Sequence, residues 1–319
     1  MSGLIIRRFM QLIPMILFVS IVSFFLMHLA PGDPIQAYIT PKMGADTVER
    51  IKKDLGLDKP IYLQYFHWLK KALQGNFGYS YVNHRPVLEK ITSRLPATLG
   101  LMGTSLFIAV LFGIPLGIIS AVFENKFIDN LIMVVTYIGI SIPGFWFAIM
   151  LIYIFSLKLE LLPSIGMHSV GVNSFLDVVK HGILPSIVLS FQNLAVITRY
   201  VRSNTIGELK KNYVRTQKSL GSYRRKILFK HVLKNVLLPI ITIIGMSFPQ
   251  LIAGAFITET VFGWPGMGRL GISAIFSFDY PVIMAITLMS SLMLIFGNLI
   301  ADILYGVVDP RIKQNEDLR

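Results

Sequence analysis

Long apolar runs alternate with polar intervals along this chain, and six of the runs are long: Phe9–Leu29, Ala97–Val122, Leu131–Leu157, Gly182–Val201, Val236–Thr258 and Pro281–Val308. About 20 apolar residues of helix cross the hydrocarbon layer of a bilayer. The pattern therefore predicts an all-α integral membrane protein with six transmembrane helices and both termini on one side. Arg7 and Arg8 precede the first run as they would in a cleavable signal. The run is longer than a signal's apolar core, and a cut after Ala30 would put His28 where a small residue is required, so it reads as a retained span.

The interval 31–96 has a different rhythm. DTVE at Asp46–Glu49 has capping-box spacing, so a helix is expected over Thr47–Leu55, stopping at Gly56. A second amphipathic helix is expected between Pro60 and Gly75, with Ile61, Tyr65, Trp68, Leu69 and Leu73 along one face. Trp68 and its tyrosine neighbours suit the headgroup zone, and the segment reads either as a platform for an external partner or as a structural cap. The chain thus divides into a first span (1–30), a helical extracytoplasmic segment (31–96), a five-helix core (97–308) containing a basic loop (199–235), and a tail (309–319).

Charge orients these elements. Of 319 residues, 54% are hydrophobic and 15% charged, with a mean hydropathy of +0.64, more apolar surface than a soluble core of this length absorbs. The net charge is +13. In a soluble protein such an excess would suggest nucleic acid, but here it is concentrated in loops. Between Arg199 and Lys234 eleven basic residues face one acid, Glu208, which predicts a cytoplasmic loop. Arg7, Arg8, Lys126, Arg311, Lys313 and Arg319 fall on the same side, so both termini are expected in the cytoplasm, and the short loops opposite hold only Lys158, Lys180 and Arg269. No nucleic-acid partner is expected. The absence of cysteine excludes disulfides and thiolate metal sites.

The basic loop has its own punctuation. Asn212 as N-cap and Gly221 as left-handed C-cap bracket a two-turn helix, Tyr213–Leu220. Ser222 is placed to cap a second helix running into the fifth span, with Leu220, Tyr223, Ile227, Leu228, Val232 and Val236 as one apolar stripe. A short helix set between two long ones is shaped to present a face to a partner. The chain has no phosphate-binding Gly-rich loop, no H-E-x-x-H, no G-x-S-x-G and no dinucleotide fingerprint, and its six histidines lack metal-ligand spacing. Catalysis and bound cofactors are not expected.

YVRTQKSLG, followed by a basic helix and LLPIIT, resembles the cytoplasmic coupling motif of ABC importer permeases. RRFMQLIPMILFVSIVSFFLMHLAPGDP, RLPATLGL, SIPGFWFAIMLIYIF, ETVFGWPGMGRL, DYPVIM and DILYGVVDPRI extend the resemblance nearly end to end, toward the B-type permease of oligopeptide and dipeptide importers, a branch with relatives for nickel. The resemblance implies a non-catalytic subunit of a bacterial or archaeal cytoplasmic membrane, multi-pass, embedded in lipid. It implies pairing with a second, related permease, two cytoplasmic ATPases that use ATP and magnesium, and an extracytoplasmic solute-binding protein. It assigns ATPase coupling to Tyr213, Val214, Arg215, Thr216, Gln217, Leu220 and Gly221, with Pro239 as the later proline of the motif. Gln217 departs from the small alanine of that branch, so its side chain must fit the docking face or turn from it.

Inside the spans, Pro115 with Gly113 and Gly117, Pro143 with Gly144, Pro249 with Gly245, and Gly297 are expected to bend helices around a path. Ser141, Pro143, Ser247 and Gln250 are candidates for that path, although small polar residues such as Ser290 and Ser291 also serve as interhelical hydrogen-bond partners. Trp264 and Arg269 mark the outer loop Phe262–Gly271 as a gate or a tight re-entry turn. Asp302 is expected to pair with Arg199 or Arg202 near the inner face. A self-sufficient secondary transporter, or an anchor without a path, stays open as an alternative.

Overall fold

The computed structural model describes residues 2–29, 44–55, 58–172, 174–237, 240 and 255–308, and among them the fold is helical with no strand. Much of the fifth expected span, including Pro239, Gly245, Ser247, Pro249 and Gln250, lies outside the described residues, as do Gly56, the tail 309–319 and the side chain of Asp302. By length and apolarity two described helices can cross a membrane, and a bent pair makes a third.

The two long helices are α4 (Val87–Val122) and α7 (Phe175–Leu209). They follow α1 (Ser2–Leu29), α2 (Ala45–Leu55), α3 (Ile61–Leu73) and, between the long pair, α5 (Phe127–Ser141) and α6 (Gly144–Leu151). Helices α4 and α7 pack at the closest range that side chains allow. A Cβ on Gly117 would lie 2.5 Å from Val201 Cβ and 2.7 Å from the Thr198 carbonyl, and one on Gly113 would lie 3.0 Å from Ile197. Thr198 Oγ1 donates to the Gly113 carbonyl at 3.3 Å. Glycines four apart thus let two backbones meet. They do not break the helix: α4 runs unbroken through Pro115, as the last helix, Tyr280–Val308, does through Gly297.

Pro143 does interrupt. Helices α5 and α6 meet at 104°, so the expected third span is not one continuous helix. The residue before a proline is driven from the helical region, and Ile142 is extended, with φ −76° and ψ 125°. Beyond α6 the chain continues as a π-helical stretch, Ile152–Lys158.

The outer segment is also reapportioned. α4 starts at Val87, ten residues before the expected span. α3 ends where Gly75 takes φ +80°; of its aromatic residues Tyr65 and Trp68 turn toward α1, while Tyr62 and Phe66 are exposed. Tyr65 is buried, bonds to Ser20 at 2.8 Å, and stacks edge-on against Phe24; Trp68 lies 5.9 Å from the same ring. Phe24 offers these rings an apolar partner, so the segment docks on α1 while Ile61 and Leu73 remain exposed.

Two further helices, α10 (Phe256–Val261) and α11 (Met267–Phe276), precede α12 (Tyr280–Val308). Residues expected as loop from Met267 on are therefore helical. Two buried carboxylates fasten this unit to α4. Glu259 accepts from Thr98 Oγ1 (2.8 Å) and the Arg269 N–H (3.1 Å), and Asp279 accepts from Ser80 Oγ (2.5 Å), the Tyr81 N–H (2.9 Å) and Lys90 Nζ (3.2 Å). A Cβ at Gly266 would collide with the Glu259 carboxylate.

Candidate functional site: the short helix after α7 and its footing

α7 ends at Leu209, and after Lys210 and Lys211 a short helix, α8 (Asn212–Ser219), turns away from it. Asn212 is the first helical residue rather than the cap; Lys211 holds the N-cap position, with no capping bond from its side chain. The exit matches expectation. Gly221 takes φ +76°, its N–H reaches the Lys218 carbonyl and the Ser222 N–H reaches Gln217, both at 3.0 Å, the paired bonds of a left-handed helix stop. Ser222 does not cap the next helix: Tyr223 precedes α9 (Arg224–Lys226), which continues as a π-helical stretch, Ile227–Val232. The Ser222 hydroxyl instead donates to Gln217 Oε1 at 3.0 Å. Gln217 is therefore folded against the turn, half-buried, which answers how its bulk is accommodated.

The expected apolar stripe divides at Gly221, where the left-handed residue breaks the helical register. Ile227, Leu228, Val232 and Val236 are buried, whereas Leu220 is 72% exposed and Tyr223 83%. Val214 is wholly buried among Ala109, Ile197, Val201, Ile227, Val232 and Val236. One residue of α8 thus roots it in the bundle, Tyr213 packs beside that root, and Arg215, Thr216, Leu220 and Gly221 are exposed.

Glu208, the lone acid of the loop, organises the footing. Its carboxylate accepts from Lys211 Nζ (2.5 Å), Tyr213 Oη (2.8 Å) and Asn235 Nδ2 (3.1 Å). One side chain thereby joins the end of α7, the start of α8 and the helix leading toward the fifth expected span. Burial works against its ionisation, but these donors outweigh it and hold the carboxyl below its ordinary value. The Tyr213 phenol is pushed up to about 12 by burial and by the carboxylate it faces.

A second node braces the helices behind. Asp129, at the start of α5, accepts from Ser120 Oγ (2.5 Å), the Asn125 N–H (2.8 Å), and Arg202 Nε (2.6 Å) and Nη2 (2.7 Å). Arg202 is therefore committed to Asp129, and Arg199 lies over the Tyr137 ring at 4.8 Å. The expected pairing of either arginine with Asp302 falls on a side chain outside the described residues. Arg224 also reaches the Val122 carbonyl at 3.1 Å, tying α9 to the end of α4.

Of the expected path and gate residues, Ser141 and Pro143 are exposed at the bend. Trp264 is buried, donating from Nε1 to the Ala97 carbonyl at 3.0 Å. It lines a cavity of about 320 Å³ together with Leu101, Val178 and Ile183. Arg269 is exposed and donates to the Gly263 carbonyl at 2.6 Å.

The profile of the family described as binding-protein-dependent transport system inner membrane component matches residues 113–314, and its N-terminal companion matches residues 1–102. The chain is 42% identical to the oligopeptide transport system permease protein AppB of Bacillus subtilis (strain 168), over 98% of this chain and 100% of that protein. It is 39% identical to the glutathione transport system permease protein GsiC of Escherichia coli (strain K12), over 98% and 99%. Among solved structures, a chain from the inward-facing MetNI methionine ABC transporter superposes with TM-scores of 0.55 and 0.57 in two crystal forms. The superposition covers 69% of this chain and 96% of that one at 15% identity, a likeness of fold.

Proposed function

The chain belongs to the binding-protein-dependent transport system inner membrane component family, and we propose that within it this protein is the B-type permease of an ATP-driven importer of short peptides. It forms half of the translocation path, crosses the cytoplasmic membrane six times with both termini inside, and pairs with a second related permease. Two cytoplasmic ATPases bind and hydrolyse ATP with magnesium, and an extracytoplasmic binding protein delivers solute. The chain itself holds no cofactor. The relatives named above for oligopeptide and glutathione support a peptide-like cargo, and the family match disfavours a self-sufficient secondary transporter.

The observation that carries the coupling role is α8 itself: a two-turn helix rooted by Val214, clamped by Glu208 and exposing Arg215, Thr216 and Leu220. Closure of the ATPases moves that exposed face, and the clamp passes the movement to both flanking helices as one body, biasing a two-state path. Gly221→Val tests this. A β-branched residue cannot hold φ +76° without strain, so α8 should lose its stop. Membrane insertion and co-purification of the second permease should persist, while ATP hydrolysis no longer drives uptake. Unchanged ATP-driven uptake in Gly221→Val would remove α8 from the coupling path.

A further inference from the structure

Arg199 is the only arginine or lysine within the six apolar runs. Its neighbour one turn on, Arg202, is neutralised by a two-point bond to Asp129. Arg199 has no such partner among the described residues; it is exposed, with its guanidinium over the Tyr137 ring. Tyr137 stands eight residues along α5 from Asp129, about 12 Å at the helical rise. Arg199 therefore reaches away from the bridge at the inner end of α5 and toward the middle of the apolar layer, the direction in which helical side chains lean on a chain descending to the cytoplasm. A cation held there with no counter-charge among the described residues faces water or a passing anion rather than lipid tails.

The space beside it fits that requirement. A groove of about 410 Å³ runs between α5 and α7, lined by Met133, Tyr137 and Ile140 on one side and Val196, Tyr200 and Ser203 on the other. The ring covers one face of the guanidinium and leaves its in-plane N–H donors free. A planar fork of donors beside two hydroxyls and an apolar wall matches a carboxylate attached to a small amphipathic solute.

We propose that this groove is an anion-recognising station on the import path, where Arg199, backed by Tyr137, takes the carboxylate of the passing solute, such as the free C-terminus of a short peptide. The station rests on the reading of the chain as an import permease. The ring, unlike a carboxylate partner, leaves the Arg199 cation available, while Arg202, which also lines the groove, is held by Asp129; one available cation holds its cargo weakly enough to release it.

The chain contains no cysteine, so Val196→Cys places one thiol of this subunit in the groove of the complete complex. A sulfonate-bearing thiol reagent should react with it about tenfold faster than a trimethylammonium one, the scale of one neighbouring charge in a wet site. Adding Arg199→Gln should abolish that preference, and Arg199→Lys should keep it. A thiol that reacts with neither reagent, as under lipid or a neighbouring subunit, or equally with both, overturns the proposal. In proteoliposomes, Arg199→Gln should slow uptake of a free-acid dipeptide about tenfold relative to its C-terminal amide, with ATPase activity still stimulated by loaded binding protein. Equal losses for acid and amide would make Arg199 merely structural and sink the station. Failure of the import reading is separately visible, because uptake would then be independent of ATP whatever the thiol reports.

Discussion

At Glu208, on α7, a single carboxylate accepts three donors from the start of α8 and the helix beyond it, and its removal strands the half-buried Tyr213 hydroxyl. Glu208→Ala should destabilise the folded loop by about 1–3 kcal/mol, read as a lower melting temperature of the purified complex. The pH dependence has two limbs of opposite sign. Glu208 is held below its ordinary value of 4.5, so its contribution is complete above that value and lost as pH falls through the lower folded one. Tyr213 is raised from 10.0 to about 12, so its contribution is complete below 10 and lost as pH rises toward 12. Tyr213→Phe should remove the alkaline limb of the thermal-stability profile and leave the acid limb in place. Glu208 is visible in the sequence as the one acid among eleven bases, but its partners are not. The same is true of Asp129, Glu259 and Asp279, whose partners Arg202, Thr98 and Ser80 lie 73, 161 and 199 residues away. Such pairings leave only a faint trace, an isolated acid beside an apolar run.

At the scale of elements, local chemistry was legible wherever one residue decides the backbone. Gly75 and Gly221 end their helices in the left-handed region as their type predicts, and the helical spacing of Tyr65, Trp68 and Leu69 places α3 correctly. Capping was less legible, because Asn212 and Ser222 compete with neighbours whose backbone already satisfies the turn. Prolines were ambiguous too. Pro115 is exposed between the buried Gly113 and Gly117 and the helix continues through it, while Pro143 follows an extended Ile142 and the chain turns. The α4–α7 crossing gives a direct test. Gly117→Ala should cost about 1–3 kcal/mol by overpacking, since its Cβ would sit 2.5 Å from Val201 Cβ. Val201→Ala should restore only a small part of that loss in the double variant, because it removes the Val201 Cγ1 at 2.7 Å but leaves the residue 201 Cβ at 2.5 Å and the Thr198 carbonyl at 2.7 Å. Thermal unfolding of the four combinations measures the coupling.

Across the whole molecule, buried carboxylates occur near both ends of α4: Asp279 and Glu259 fasten the outer unit, and Asp129 fastens the inner turn to α7. Breaking the outer fastening with Asp279→Ala leaves Lys90, only 16% exposed, without its counter-charge. A loss of about 3–5 kcal/mol is expected for such a buried pair, together with faster proteolysis within residues 79–86 and unchanged cleavage of the basic loop. The bend at Pro143 has a consequence for the surrounding lipid. α5 has 15 residues, about 22 Å of helix, which falls short of the roughly 30 Å of an ordinary hydrocarbon layer. Where this arm meets tails directly, the two leaflets must pinch inward to meet it. The assembly should then carry a preference for short-chain phospholipids, and the thickness of its host membrane becomes a quantity its turnover can sense.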